Sequence, residues 1–202
     1  MSWSAITDLG DSAVMVPIAL VIAAWLSASG AWRGALAWLV LFGTGAFLVI
    51  CTKVAYLAWG FGVEALDFTG ISGHAMSATA VLAVAGYVLG CRRSVVVAAC
   101  ASLLGYLSGV AIGVSRVALG NHSPCEVVAG CVLGGCVAAA AIGVLRQRPG
   151  LAAAPAAFAA TALALILVLH GHRAPSENLT VRLALYLSGH EAPFVSHRHR
   201  AE

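Results

Sequence analysis

The chain has 202 residues, 61% of them hydrophobic and 9% charged, with a formal net charge of +3. Roughly a quarter of an average soluble domain is charged, so this composition excludes an ordinary water-soluble domain and points to an integral membrane protein. The positive charge is small and dispersed, and no basic run with interleaved aromatics marks a nucleic-acid surface.

A bilayer-spanning helix needs roughly 20 mostly apolar residues. Six stretches meet this in chain order: Ser12 to Ala31, Gly34 to Trp59, His74 to Gly90, Ser94 to Gly113, Pro124 to Leu145 and Leu151 to His170. The expectation is an all-α integral membrane protein with six transmembrane helices in one bundle over residues 1–173. A polar tail, 174–202, follows. Asp8 and Asp11 precede the first span and Arg33 follows it, the pattern of a retained anchor rather than a cleaved signal. In the fourth span Gly105, Gly109 and Gly113 recur every fourth residue, and Gly130 with Gly134 do so in the fifth. Such small-residue stripes let helix backbones approach closely in lipid. With six spans, Arg33, Arg92, Arg93, Arg146 and Arg148 fall on one side, while Lys53, Arg116 and the tail fall on the other. The positive-inside rule makes the first side cytoplasmic.

Six cysteines, at 51, 91, 100, 125, 131 and 136, show no CxxC pair or metal-ligand spacing and read as small apolar fillers. In the tail, Leu179, Val181, Leu183, Leu185 and Leu187 are too short a run to span, and their alternation leaves helix and strand both open. This segment is expected on the membrane surface. His197 and His199 form an HxH pair that reads as solvated tail rather than a metal site. The Ser-Gly-His at Ser188 to His190 precedes no span and reads as chance.

Three places carry unusual chemistry. Lys53, the sole lysine, falls late in the second span, where a charge is expensive enough to suggest function, although a snorkelling lysine looks the same. Ser72-Gly73-His74 opens the third span. A helix N-terminus offers unpaired N–H groups to an anion, and Ser72 also suits an ordinary N-cap. Between the fourth and fifth spans, "SRVALGNHSPCE" supplies Arg116, a planar fork for an oxyanion, and His122, a nucleophile or base, with Glu126 one helical turn beyond. Ser123-Pro124-Cys125-Glu126 is also a capping box. A capping glutamate and a histidine-orienting glutamate occupy the same place, and the two roles are compatible.

In order and spacing these residues resemble the type 2 phosphatidic acid phosphatase superfamily of membrane phosphatases, whose pattern is K-x6-R-P, then P-S-G-H, then S-R-x5-H-x3-D. The third motif fits throughout from Ser115 and Arg116 to His122 and position 126. Gly60 and Phe61 stand where the first motif has arginine and proline, Ile71 replaces the proline before Ser72, and Glu126 replaces aspartate. The resemblance implies a lipid phosphatase without a metal or other cofactor, acting on a membrane lipid presented by the bilayer. It further implies His122 as nucleophile through a phosphohistidine, Glu126 as its orienting carboxylate and His74 as general acid. Lys53, Ser72, Gly73, Ser115 and Arg116 would hold the phosphoryl oxygens. Phosphoryl transfer needs positioning and neutralisation of spread negative charge, and histidine titrates where a general acid should. By the arginine count the site would face the periplasm or exterior of a bacterial inner membrane.

Two other readings remain. Gly70-Ile71-Ser72-Gly73 is a GxSG string that resembles the nucleophile motif of rhomboid intramembrane proteases, which would make Ser72 the nucleophile and require a base such as His170. The missing arginine at position 60 also suits a non-catalytic protein that binds or transports a lipid phosphate.

Overall fold

A computed structural model describes residues 2–146, 155–172 and 174–194. Arg148, Arg173, His197, His199 and the start of the expected sixth span lie outside the described residues. The rest form α1 (Trp3–Asp8), α2 (Ser12–Ala28), α3 (Trp32–Trp59), α4 (Gly73–Gly90), α5 (Val95–Ala118), α6 (Pro124–Arg146), α7 (Pro155–Leu169) and α8 (Ser176–Ser188). A short 3-10 turn, Glu64–Leu66, lies between α3 and α4.

Five segments are long and apolar enough to cross a membrane: Trp3–Ala28, which joins α1 to α2, and the whole of α3, α4, α5 and α6. This is a helical membrane protein. The described part of the expected sixth span, α7, is shorter, with an apolar run over Ala156–Leu169.

The helix boundaries follow local chemistry. Asp11 caps α2, its Oδ1 accepting the Ala13 N–H at 2.8 Å, and Ser94 caps α5 by accepting the Val97 N–H at 3.1 Å. Gly60 ends α3 in the left-handed conformation at φ 72°, where a side chain would be strained. α5 runs further than the sequence suggested. It continues through Ser115 and Arg116 to Ala118 because no residue breaks it before Gly120, at φ 70°. Arg116 thus sits in the last turn of a helix, where a cation suits the dipole, and not in a loop.

α4 lies at the centre and packs against α2, α3, α5, α6 and α7. Its Ala75, Met76, Ala78, Thr79, Ala80, Val81, Ala83 and Val84 are all buried, the mark of a helix enclosed by others. The glycine stripes explain how α5 and α6 reach it. A Cβ on Gly109 would stand 2.5 Å from the Thr79 nitrogen, and one on Gly130 would stand 2.6 Å from the Ser72 carbonyl oxygen. With lipid tails as apolar as the side chains, close packing of this kind is what holds such helices together. α2 and α3 are joined by the buried Trp38 indole, whose N–H donates to the Ala19 carbonyl at 2.8 Å.

The tail run of leucines is a helix. Glu177 in its first turn and Gly189 as a left-handed C-cap at φ 70° favour helix over strand. Its fully buried Ala184 joins Val54 and Ala58 of α3 in a small cluster. The alternation left helix and strand both open because α8 carries a second apolar face, with Leu179, Leu183, Tyr186 and Leu187 exposed.

Candidate functional site

The end of α3 and the starts of α4 and α6 meet around the segment 69–72. The Ser72 N–H donates to the Glu126 carbonyl at 3.1 Å, and the Ile71 N–H donates to Thr52 Oγ1 at 3.1 Å. Gly70 lies so close to α3 that a Cβ there would stand 3.2 Å from the Lys53 Cα. The end of α5 joins them, since Gly113 faces Ala75 and Val127.

Glu126, 2% exposed, is the hub of this junction. Its Oε2 accepts from His122 Nδ1 at 2.6 Å and from the Ser123 N–H at 3.2 Å. Its Oε1 accepts the Thr69 N–H at 2.7 Å, the Thr69 hydroxyl at 2.6 Å and the Gly70 N–H at 3.2 Å. The capping box is present too, because the Glu126 N–H donates back to Ser123 Oγ at 3.4 Å. Cap and histidine partner therefore coexist in one carboxylate. A buried carboxylate is costly unless its lone pairs are taken, and here they are. With Nδ1 donating to Glu126, the lone pair of the neutral ring lies on Nε2.

His74 has a different setting. It opens α4, and its Nε2 stands 3.7 Å from Asp11 Oδ2. Asp11 Oδ1 is taken by the Ala13 N–H and by the Ala174 N–H at 2.9 Å. The imidazole lies within electrostatic reach of Arg116, Asp11, Lys53 and His122.

Two cavities adjoin this junction. The larger, about 490 Å³, is lined by Asp11, His74 and Arg116, with Ser4, Thr7 and Asp8 of α1 and Glu177 of α8. The smaller, about 250 Å³, is lined by Lys53, Tyr56, Thr69 and His122 on one side and by Thr180 and Val181 of α8 on the other. Asn121 and Glu177 border both. Glu177 Oε1 is 3.9 Å from the Arg116 guanidinium.

Of the residues singled out by sequence, Lys53, His74, Arg116, His122 and Glu126 converge. Ser72 and Ser115 lie at the junction but are fully buried. Ser72 Oγ caps α4 by accepting the Ala75 N–H at 3.5 Å, and the Ser115 hydroxyl donates to the Ile112 carbonyl at 2.6 Å. Neither hydroxyl borders the two cavities. Gly73 is the first residue of α4, packed near Val49. Among the described residues, no group of three or more His, Cys, Asp and Glu side chains is placed to hold a metal ion.

Sequence reasoning passed over Asp11, Thr69 and Glu177. Thr69 directly precedes the Gly70-Ile71-Ser72-Gly73 string, and Asp11 reads, with Asp8, only as the acidic flank of a retained first span. No local signal connected Glu177 to Arg116. The structure also accounts for Gly60. The Phe194 N–H donates to the Leu57 carbonyl at 2.8 Å, and the Phe194 ring covers Gly60, 2.9 Å from where a Cβ would be. It meets Tyr56 edge-on at 5.5 Å. An arginine at 60 would need a left-handed backbone and the space this ring fills.

The chain is 31% identical, over 203 aligned positions covering 96% of it and 95% of the relative, to an uncharacterized 22.5 kDa protein in the cps region of Klebsiella pneumoniae. It belongs to the same family as that protein. No described family profile matches the chain, and no solved structure matches it.

Proposed function

We propose that the protein is a membrane phosphatase that removes phosphate from a lipid phosphate or diphosphate through a phosphohistidine on His122. The observation that carries this reading is the 2.6 Å contact of His122 Nδ1 with a buried carboxylate, on a histidine that shares a cavity with Lys53. An imidazole held in this way presents Nε2 to phosphorus, and a negative partner stabilises the ring as it becomes cationic. His74 gives the proton to the leaving oxygen. Lys53 and Arg116 neutralise the equatorial oxygens, with the Gly73 backbone at the start of α4 beside them. The buried hydroxyls of Ser72 and Ser115 support the walls of the site. α7 completes a six-span bundle, and the outward apolar face of α8 lies at the membrane surface. Phosphatidic acid, phosphatidylglycerol phosphate, polyprenyl diphosphate and lipid A phosphates form the substrate class.

The protease reading has less support, because Ser72 is fully buried and engaged as a cap. One observation favours a non-catalytic lipid-phosphate binder: Phe194 fills the place of the missing arginine, leaving Lys53 and Arg116 as the cations among the described residues that line the two cavities.

Purified protein in detergent micelles decides between them. The phosphatase releases phosphate from at least one of these lipids, is insensitive to EDTA, is blocked by vanadate and forms an acid-labile phosphoprotein that His122→Ala abolishes. Binding of the same lipids without turnover supports the binder, and peptide cleavage lost in Ser72→Ala supports the protease. The arginine count puts the site outside. On a cysteine-free background, Asn121→Cys then reacts with an impermeant thiol reagent in intact cells and Ser94→Cys does not, and the reverse labelling puts the site in the cytoplasm.

A further inference from the structure

We propose that Asp11, beyond capping α2, is the positioning residue of His74, turning the imidazole toward the larger cavity and balancing its charge while it carries the leaving-group proton. The inference rests on the phosphatase reading. The geometry behind it is specific. Asp11 is 8% exposed. Two backbone N–H groups, from Ala13 at 2.8 Å and Ala174 at 2.9 Å, hold its Oδ1. That leaves Oδ2 directed at the imidazole, 3.7 Å from Nε2. A cap requires only the first of these contacts. The second ties the carboxylate to the segment leading into α8, and the third sets it against an imidazole on another helix.

His74 and Arg116 line the same cavity, and Asp11 is the carboxylate within 4 Å of the His74 ring. A site with so much positive charge for the phosphate needs a carboxylate if its acid is to hold a proton before the substrate arrives. In the reaction His122 Nε2 forms a bond to phosphorus and the bond from phosphorus to the bridging oxygen breaks. The oxygen leaves with the electron pair and takes the proton from His74, which becomes neutral. Water then attacks the phosphorus and passes a proton to His74, the bond from phosphorus to Nε2 breaks with its electron pair returning to His122, and phosphate is released.

The test uses two forms of one lipid, whichever of the four substrate types the wild type hydrolyses fastest, with either oxygen or sulfur bridging to the phosphorus. A sulfur leaving group departs without a proton, whereas an oxygen leaving group departs faster when it receives one. Asp11→Asn retains a good N-cap residue and an oxygen for Ala174 but removes the charge. Its turnover of the oxygen lipid is expected to fall by about tenfold to a hundredfold, part of the 10²–10⁴ that a general acid supplies, while turnover of the sulfur lipid falls by less than about threefold. His74→Gln shows the same selectivity with a larger fall. Equal losses on both lipids, or none on the oxygen lipid, overturn the role of Asp11 and leave the phosphatase reading standing. A wild type that cleaves the oxygen lipid but not the sulfur one also overturns it. A wild type that cleaves neither overturns both.

Discussion

His122 and His74 each face a carboxylate that also caps a helix, yet the two pairs are built differently. His122 and Glu126 lie four residues apart, in contact at 2.6 Å and almost sealed, with side chains 8% and 3% exposed. His74 and Asp11 come from different helices, stand 3.7 Å apart and are more open, at 17% and 11%. A nucleophile needs one fixed tautomer, so a rigid local contact suits it. An acid must be refilled with protons, so a looser pair on the larger, polar cavity suits it. Glu126 is held from both sides of the junction, whereas Asp11 is held by one helix start and one connecting segment. Each difference can be challenged by experiment.

The largest effect is expected at Glu126→Gln. The amide nitrogen cannot accept, so it must face either the three donors on Oε1 or the His122 ring and the Ser123 N–H. The smaller conflict is at His122, whose ring would then accept at Nδ1 and carry its proton on Nε2, the atom proposed to attack phosphorus. In a serine-protease triad the equivalent carboxylate-to-amide change costs about 10⁴ in turnover. A fall of about 10² or more in phosphate release is expected here, with Glu126→Asp retaining much of the activity. Wild-type turnover by the glutamine variant would reduce Glu126 to a cap.

Stability sharpens the comparison next. Glu126→Ala strips the acceptor from Thr69, Gly70 and Ser123 N–H groups, and each buried donor left unpaired costs about 1–3 kcal/mol. Unfolding in detergent should show a total loss of roughly 3 kcal/mol or more. Asp11→Ala should cost about 2 kcal/mol, roughly 1 for the N-cap and about 1 for the part-buried Ala174 N–H it leaves unpaired, and Asp11→Asn a few tenths. Similar losses for the two alanine variants would mean that both carboxylates tie the fold together equally.

The smallest effect is expected at Glu177, 70% exposed in its 3.9 Å pair with Arg116. An exposed pair of this kind contributes about 0–1 kcal/mol, so Glu177→Ala should lower the melting temperature by no more than about 3 °C. A larger drop would show that α8 is held in place through this charge to α5 and not only through Ala184 on α3.

Much of the site was legible in the sequence where its geometry is local. Lys53 announced itself by its cost in an apolar span, and the third motif set Arg116, His122 and Glu126 at spacings that one helix end and one helix start preserve. The tail stayed open between the two because a leucine alternation fits a helix with two apolar faces as well as a strand. The partner of His74 left no trace, since nothing in the run before α2 distinguishes a capping aspartate from one that also faces a histidine.

By itself, then, the sequence determined the apolar helices, whose lengths follow from composition and bilayer thickness, and the His122–Glu126 pair, which the helical repeat of 3.6 residues places on one face. Tertiary structure alone decided that Asp11 meets His74, that Thr69 and Gly70 donate to Glu126, and that α8 and Phe194 close over the end of α3. These contacts join residues far apart in the chain. They depend on how closely Gly109 and Gly130 let α5 and α6 approach α4, a matter of packing between surfaces that no local pattern encodes.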